Sequence, residues 1–235
     1  MSRLFYWAAY ADKYGGAVKE TQLYGTVIGI HEPVGTIGIV CPDQSPLLSF
    51  VSLVGAAIAR SNSVVVVPSE KFPLLALDLY QVFETSDLPG GVVNIITGSA
   101  DHLTKYLAEH QAVDAMWYFG SSEGSAFVEH TSAVNVKRTW VNYGTTRDWA
   151  DAGQGQGEEF LYHATQVLYV PAAAPVLLSL VPAPPVTGTV YSVPVPAIPI
   201  HLFLYMYFAT QVKNICGTSV PLSVPVPLLS YLHPG

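Results

Sequence analysis

HEPVGTIGIVCPDQSPLLSFVSLVGAAIARSNSVVVVPSE, residues His31 to Glu70, is the stretch that decides the fold. It opens with a turn at Pro33–Gly35 and an apolar strand over Thr36–Cys41. A second turn, Pro42–Ser45, leads into a helix predicted from Pro46 to about Arg60, and then comes an unbroken valine run, Val64–Val67. Ser45 followed by Pro46 predicts a helix start with a side-chain oxygen at N-cap and proline at N1. Leu47, Val51, Val54 and Ile58 recur at helical spacing. An all-valine strand suits a parallel sheet covered on both faces, so the unit is strand–helix–strand.

The alternation continues outward. On the N-terminal side, Met1–Tyr14 reads as the end of a helix stopped by Gly15–Gly16, and Gln22–His31 as a strand. On the C-terminal side the expected elements are a helix over Pro73–Phe83, with Leu75, Leu79, Val82 and Phe83 on one face, and a strand over Val92–Thr97. A helix over Asp101–Glu109, a strand over Ala115–Phe119, a helix over Ser122–Thr131 and a strand over Arg138–Asn142 follow. Strands alternating with helices of about ten residues predict an α/β fold with a doubly wound parallel sheet.

From Ala152 the character changes. Gln154–Gly157 reads as a flexible Gly/Gln linker and Phe160–Val167 as a short helix. From Leu168 the chain is rich in Pro, Val and Leu, with prolines at 171, 175, 182, 184, 185, 194, 196 and 199, which exclude a regular helix or central strand. SVPVP occurs at 192–196 and 223–227, and ATQV at 164–167 and 209–212. The two separations differ, so the segment reads as low complexity rather than a tandem array. The expected division is a domain over 1–151, a linker and short helix over 152–167, and an irregular apolar tail over 168–235.

Composition narrows the function classes. The 235 residues carry a net charge of −7, and every Asp, Glu, Lys and Arg except Lys213 lies at or before Glu159. No basic cluster marks a nucleic-acid partner. Two cysteines, Cys41 and Cys216, exclude a disulfide framework and a CxxC metal site; a reducing, cytoplasmic setting is the default. The seven histidines show no metal-ligand spacing, and no GxSxG elbow is present. Leu4–Ala11 lacks the flanks of a signal peptide. Ile198–Val212 is apolar but shorter than the roughly 20 residues of a membrane-spanning helix and contains Pro199, so a membrane partner is not expected.

Gly120–Ser121–Ser122–Glu123, between a predicted strand and helix, is the chief candidate for ligand binding. Glycine admits a close anion, and free backbone N–H groups at a helix start attract it.

Taken in order, EPVG, CPDQSPL and VVVVPSE resemble the start of the cofactor-binding domain of the aldehyde dehydrogenases, and the resemblance runs to about Trp149. VFETSDLPGGVVNIITG and AMWYFGSSEGS are most similar to the second, C-terminal dehydrogenase-like unit of the family-16 members. The resemblance implies a Rossmann-like cofactor domain, incomplete here, and NAD- or NADP-dependent oxidation of aldehydes. Gly120, Ser121 and Ser122 take the pyrophosphate position, and Glu70 takes the ribose-binding position.

It also marks departures. Val67 replaces a lysine that donates to the ribose, and Gln44 replaces the asparagine that holds the oxyanion. Asp43 puts a negative charge near the expected phosphates, and Asn142 replaces the general-base glutamate. Loss of a general base alone costs about 10²–10⁴ in rate. Cys41 falls at a threonine position, and the nucleophilic cysteine belongs to a domain beyond the matching region. No residue is therefore expected to be catalytic and none to bind metal. The expectation is a noncatalytic family member with weak or absent NAD(P) binding, which serves as a homo-oligomer or as a unit bound to a protein partner. Two alternatives accompany it: the cofactor-binding part of an active oxidoreductase, and a truncated splice product without a stable fold.

Overall fold

The computed structural model describes residues 2–22, 25–86 and 88–171. In chain order the elements are α1 (Ser2–Tyr10), β1 (Ala17–Thr21), β2 (Gly25–Pro33), β3 (Thr36–Val40), α2 (Pro46–Ala59), β4 (Ser63–Val67), α3 (Leu74–Thr85), β5 (Val93–Ile95), α4 (Ala100–Glu109), β6 (Ala115–Tyr118), α5 (Ser122–Ser132), β7 (Arg138–Val141), α6 (Ala152–Gly155), α7 (Glu158–His163) and β8 (Thr165–Pro171). Five strands form a parallel sheet in the order β5-β4-β3-β6-β7; β1, β2 and β8 form a separate antiparallel sheet. The expected α/β doubly wound sheet is present.

The period-two alternation of the strands divides the core. Ile37, Ile39, Val64, Val66, Trp117 and Phe119 face the layer built from α1, α2, α3 and α7. Val40, Val67, Met116 and Tyr118 face the opposite layer, closed by Val128 of α5 and by Leu103 and Leu107 of α4. α2 is buried on nearly its whole circumference from Ser49 to Ile58. At Gly55 a Cβ would stand 2.3 Å from the Trp7 indole, so this glycine is what lets α1 lie against α2.

Several local expectations are corrected. Ser45 adopts a left-handed conformation (φ 49°) and makes no side-chain cap; α2 begins on Pro46 alone, with Ser45 O accepting from Ser49 N. Leu47 is exposed, outside the buried face. The strand expected over Gln22–His31 belongs to a hairpin, β1 and β2, because Gly25 (φ 66°) turns the chain back. Inward positions on α3 are Ala76 and Phe83, with Leu75 exposed.

Gln154–Gly157 is not a free linker. Asp148 N donates to Gln154 Oε1, Arg147 donates to Gln154 O, and the Arg3 guanidinium packs so closely on Gly155 that a Cβ would meet it at 2.5 Å. The helix expected to Val167 ends at His163. Thr165 begins β8, which pairs with β2 from Thr165↔Pro33 to Pro171↔Val27, so Leu168–Pro171 belong to the folded unit. The remainder of the expected tail, with both SVPVP copies, the second ATQV copy, Cys216 and Ile198–Val212, lies outside the described residues.

Candidate functional site

In the sheet order β5-β4-β3-β6-β7 the chain leaves β3 towards one edge and β6 towards the other, so a topological switch lies between β3 and β6. Ligands in open α/β sheets sit outside the strand carboxyl ends at such a point. Cys41–Ser45 follow β3 there, and Phe119–Ser122 follow β6.

Ser121 is the N-cap of α5: its Oγ accepts from Gly124 N at 3.0 Å, and its carbonyl accepts from Ser125 N at 3.0 Å. These bonds leave the amides of Ser122 and Glu123 as the donors of the first turn. Gly144 (φ 75°), after β7, passes above them; a Cβ there would stand 3.6 Å from Ser122 N. The glycines of this turn make room for a protein group rather than for a ligand. A Cβ on Gly120 or Gly124 would meet the Tyr118 hydroxyl at 2.5 or 2.0 Å, and that hydroxyl accepts from Ser121 N at 3.3 Å.

A cavity of about 350 Å³ opens between α4 and α5, lined by Thr104, Lys105, Tyr118, Ser121, Gly124 and Phe127 among others. Thr104 is 3 % exposed and its Oγ1 has no protein partner. Beside the orphaned hydroxyl, the lysine, the phenylalanine and the helix start, two carboxylates, Asp101 and Glu123, also line it. Thr104, Lys105 and Phe127 escaped the sequence reading because nothing in α4 or α5 marks these residue types as ligand-facing.

Gly120, Ser121 and Ser122 form the turn into α5. Glu70 lies at the start of α4. Its Oε2 accepts from Ala100 N at 2.9 Å, so it caps α4, whose own N-cap residue Ser99 makes no side-chain bond. Asp43 is turned away towards the loop after β4. It accepts from Ser69 Oγ at 2.6 Å and pairs with Lys71 Nζ at 3.1 Å. Burial raises the Asp43 pKa, but the bonds from Ser69 and Lys71 and the Lys71 charge outweigh it, leaving the group below its ordinary value.

At the β7 end, Asn142 is folded back on its own turn, donating to Thr145 O and accepting from Gly144 N. A second cavity, of about 320 Å³, lies beside it, lined by Phe119, Trp140, Asn142, Thr146, Arg147 and Glu159 among others. The Arg147 guanidinium lies 5.3–5.9 Å from the ring centres of Phe119, Trp140, Trp149 and Phe160 and donates to both Glu159 oxygens at 2.8 Å. His163 stacks on Trp140 at 4.3 Å, and its pKa is lowered to about 4, first by burial and then by Arg138. Cys41 is 6 % exposed, and burial pushes its thiol well above the ordinary range, so it is not a nucleophile at neutral pH. Among the described residues no group of His, Cys, Asp and Glu is placed to hold a metal, and no helix is long and apolar enough to cross a membrane.

Residues 1–149 match the model of the "Aldehyde dehydrogenase family". The chain is 35% identical over 145 residues to the NADP/NAD-dependent aldehyde dehydrogenase PuuC of Escherichia coli K12, covering 61% of this chain and 29% of that protein. It is 36% identical over 144 residues to the mitochondrial benzaldehyde dehydrogenase of Antirrhinum majus, covering 60% of this chain and 27% of that one. An NAD+ complex of an aldehyde dehydrogenase from Bacillus cereus superposes with a TM-score of 0.55 at 27% identity, over 58% of this chain and 28% of that one. The chain thus spans less than a third of the length of these relatives. With the sheet order, the topological switch between β3 and β6 and the capped start of α5 all in the matching region, this chain belongs to the aldehyde dehydrogenase family.

Proposed function

We propose that this chain is a noncatalytic member of the family that keeps a weak NAD(P) site and works by assembly. The observation that carries the nucleotide part is the start of α5, where two free amides stand beside a cavity holding the orphaned Thr104 hydroxyl. When bound, the cofactor would supply hydride acceptance. The residues that would hold it are Ser122 and Glu123 through their amides, Thr104, Lys105 and the free oxygen of Glu70. Val67 donates nothing and Glu70 already caps α4, which supports a dissociation constant above about 1 mM, because a missing charged hydrogen bond costs about 1.5–3 kcal/mol.

The noncatalytic part is supported by the turn-bound Asn142, the exposed Gln44 and the buried Cys41. Assembly as a homo-oligomer or with a protein partner is supported by the β1-β2-β8 sheet. One of its faces exposes Val18, Ile28, Ile30, Leu168 and Val170, five apolar side chains in adjacent register positions. Within the family we place the chain beside the second unit of the family-16 members, on VFETSDLPGGVVNIITG and AMWYFGSSEGS. A cytoplasmic setting agrees with a free, reduced Cys41.

Ser122→Pro tests the nucleotide site. Proline is tolerated at N1, and Ser121 (φ −71°, ψ 163°) already has the extended backbone proline demands of its predecessor. The substitution removes one donor without disturbing the helix. Calorimetric titration of the full chain with NAD and NADP should give millimolar binding that falls about tenfold in Ser122→Pro at unchanged urea midpoint. Equal binding by both proteins would place the nucleotide elsewhere.

A further inference from the structure

Most of what holds Arg147 in place is independent of its counter-ion. The guanidinium lies among the rings of Phe119, Trp140, Trp149 and Phe160, all of them buried, and Nη1 donates to Gln154 O at 3.1 Å. Gln154 is itself fixed, its Oε1 accepting from Asp148 N at 3.1 Å. Nη2 alone meets the carboxylate, donating to both Glu159 oxygens at 2.8 Å.

The counter-ion is the loose part. The Glu159 side chain is 48 % exposed against 20 % for Arg147, and among the described residues its carboxylate bonds to no other group. An exposed pair of this kind is screened by water and salt, so its competition weakens a rival anion by about fivefold at most. Beside the pair lies the cavity of about 320 Å³, a volume at the small end for ligand sites. Phe119, Trp140 and Val141 give it apolar surface, and Thr145, Thr146 and Gln154 line it with hydroxyls and an amide.

We propose that this cavity binds a small organic carboxylate, which takes the place of Glu159 on Arg147. The guanidinium selects an anion, the apolar surface an organic one and the volume a small one. Glu159 is the internal stand-in: it shows that Nη2 can meet two carboxylate oxygens at once. Binding leaves the guanidinium where it is. Only the half-exposed Glu159 side chain turns out into solvent, while the fully buried Phe160 and Leu161 keep α7 seated. The cavity shares no lining residue with the one between α4 and α5, so the proposal does not depend on the nucleotide site.

The test is calorimetric titration of the full-length chain, at fixed ionic strength, with benzoate, with benzamide as its uncharged counterpart and with inorganic phosphate. The wild type should bind benzoate, and Glu159→Gln should bind it about fivefold more tightly because the competing charge is gone. Arg147→Lys keeps the charge but not the flat guanidinium among the rings, and should bind benzoate about tenfold more weakly. Benzamide and phosphate should each bind the wild type about tenfold more weakly than benzoate, or not at all. Absence of benzoate binding, or equal binding by wild type and Glu159→Gln, overturns the proposal. Benzamide matching benzoate would mean that apolar packing suffices without Arg147, and phosphate matching benzoate would mean a site for charge alone; either result excludes a carboxylate site. Should Arg147→Lys fail to fold, the comparison of Glu159→Gln with the wild type still decides, because it changes only a half-exposed side chain.

Discussion

Asn62 and Ala164 are joined by a buried hydrogen bond of 2.8 Å from Nδ2 to the carbonyl. The same amide donates to Ala57 O, while its oxygen accepts from Val34 N and Gly35 N. One side chain, 2 % exposed, thus ties the end of α2, the turn before β3 and the start of β8.

Asn62→Ala should therefore destabilise by about 3 kcal/mol or more, since it strands several buried groups at about 1 kcal/mol or more apiece. Urea unfolding followed by tryptophan emission checks this; a loss below about 1 kcal/mol would mean that water or side-chain rearrangement satisfies the stranded groups.

The pH dependence of stability should carry a signature of His163. Its folded pKa, about 4, lies below the ordinary 6.5, so the unfolded chain takes up a proton that the folded one refuses. Stability then falls as pH drops from about 6.5 towards 4 and is indifferent to His163 above that window. His163→Phe keeps a ring on Trp140 and removes the titration. Comparing urea midpoints at pH 7 and pH 5, the wild type should lose more than His163→Phe; equal losses assign the slope to other groups.

No NADH should appear when the chain is given NAD and an aldehyde, and Cys41→Ser should change nothing. Because the Cys41 thiol is buried and its pKa raised, iodoacetamide should label it at least a hundredfold faster in urea than in buffer. Mass spectrometry of the tryptic peptide reads the rate; rapid labelling of the native protein would show that the β3 end opens in solution.

Arg147→Lys should cost about 1–2 kcal/mol although charge is kept. An ammonium cannot lie flat among four rings, nor hold Gln154 O and the Glu159 carboxylate through two separate nitrogens as the guanidinium does. Glu159 is substantially exposed, so Glu159→Gln should cost under about 1 kcal/mol. If the two variants are equally mild, the ring contacts contribute little.

The β3–α2–β4 unit was legible because its signals are local: a valine run that only a covered parallel strand accommodates, and a proline that fixes the first turn of α2. Ser45 was misread because capping needs an extended backbone, and the turn from Asp43 forces a left-handed one. The partners of Asp43 and Glu70 were not legible either: a carboxylate takes whatever donors lie nearest, and these are Ser69 and Lys71 for one and the α4 start for the other. β8 was hidden because its partner is more than a hundred residues away; from Phe160 to Val167 the spacing looks helical, and only the β2 edge makes Thr165 the start of a strand. Arg147 was invisible as a centre because its four rings converge only in three dimensions.

The pairing of Thr165 with Pro33, and of the residues beyond it, also sets a schedule. During synthesis β1 and β2 emerge first and form a two-stranded hairpin, which alone is marginal in water. The strand that completes it is made only after the entire parallel sheet has been translated. Throughout that interval β2 offers an unpaired edge flanked by Ile28 and Ile30 to whatever lies close by, including the same edge on a neighbouring ribosome's nascent chain.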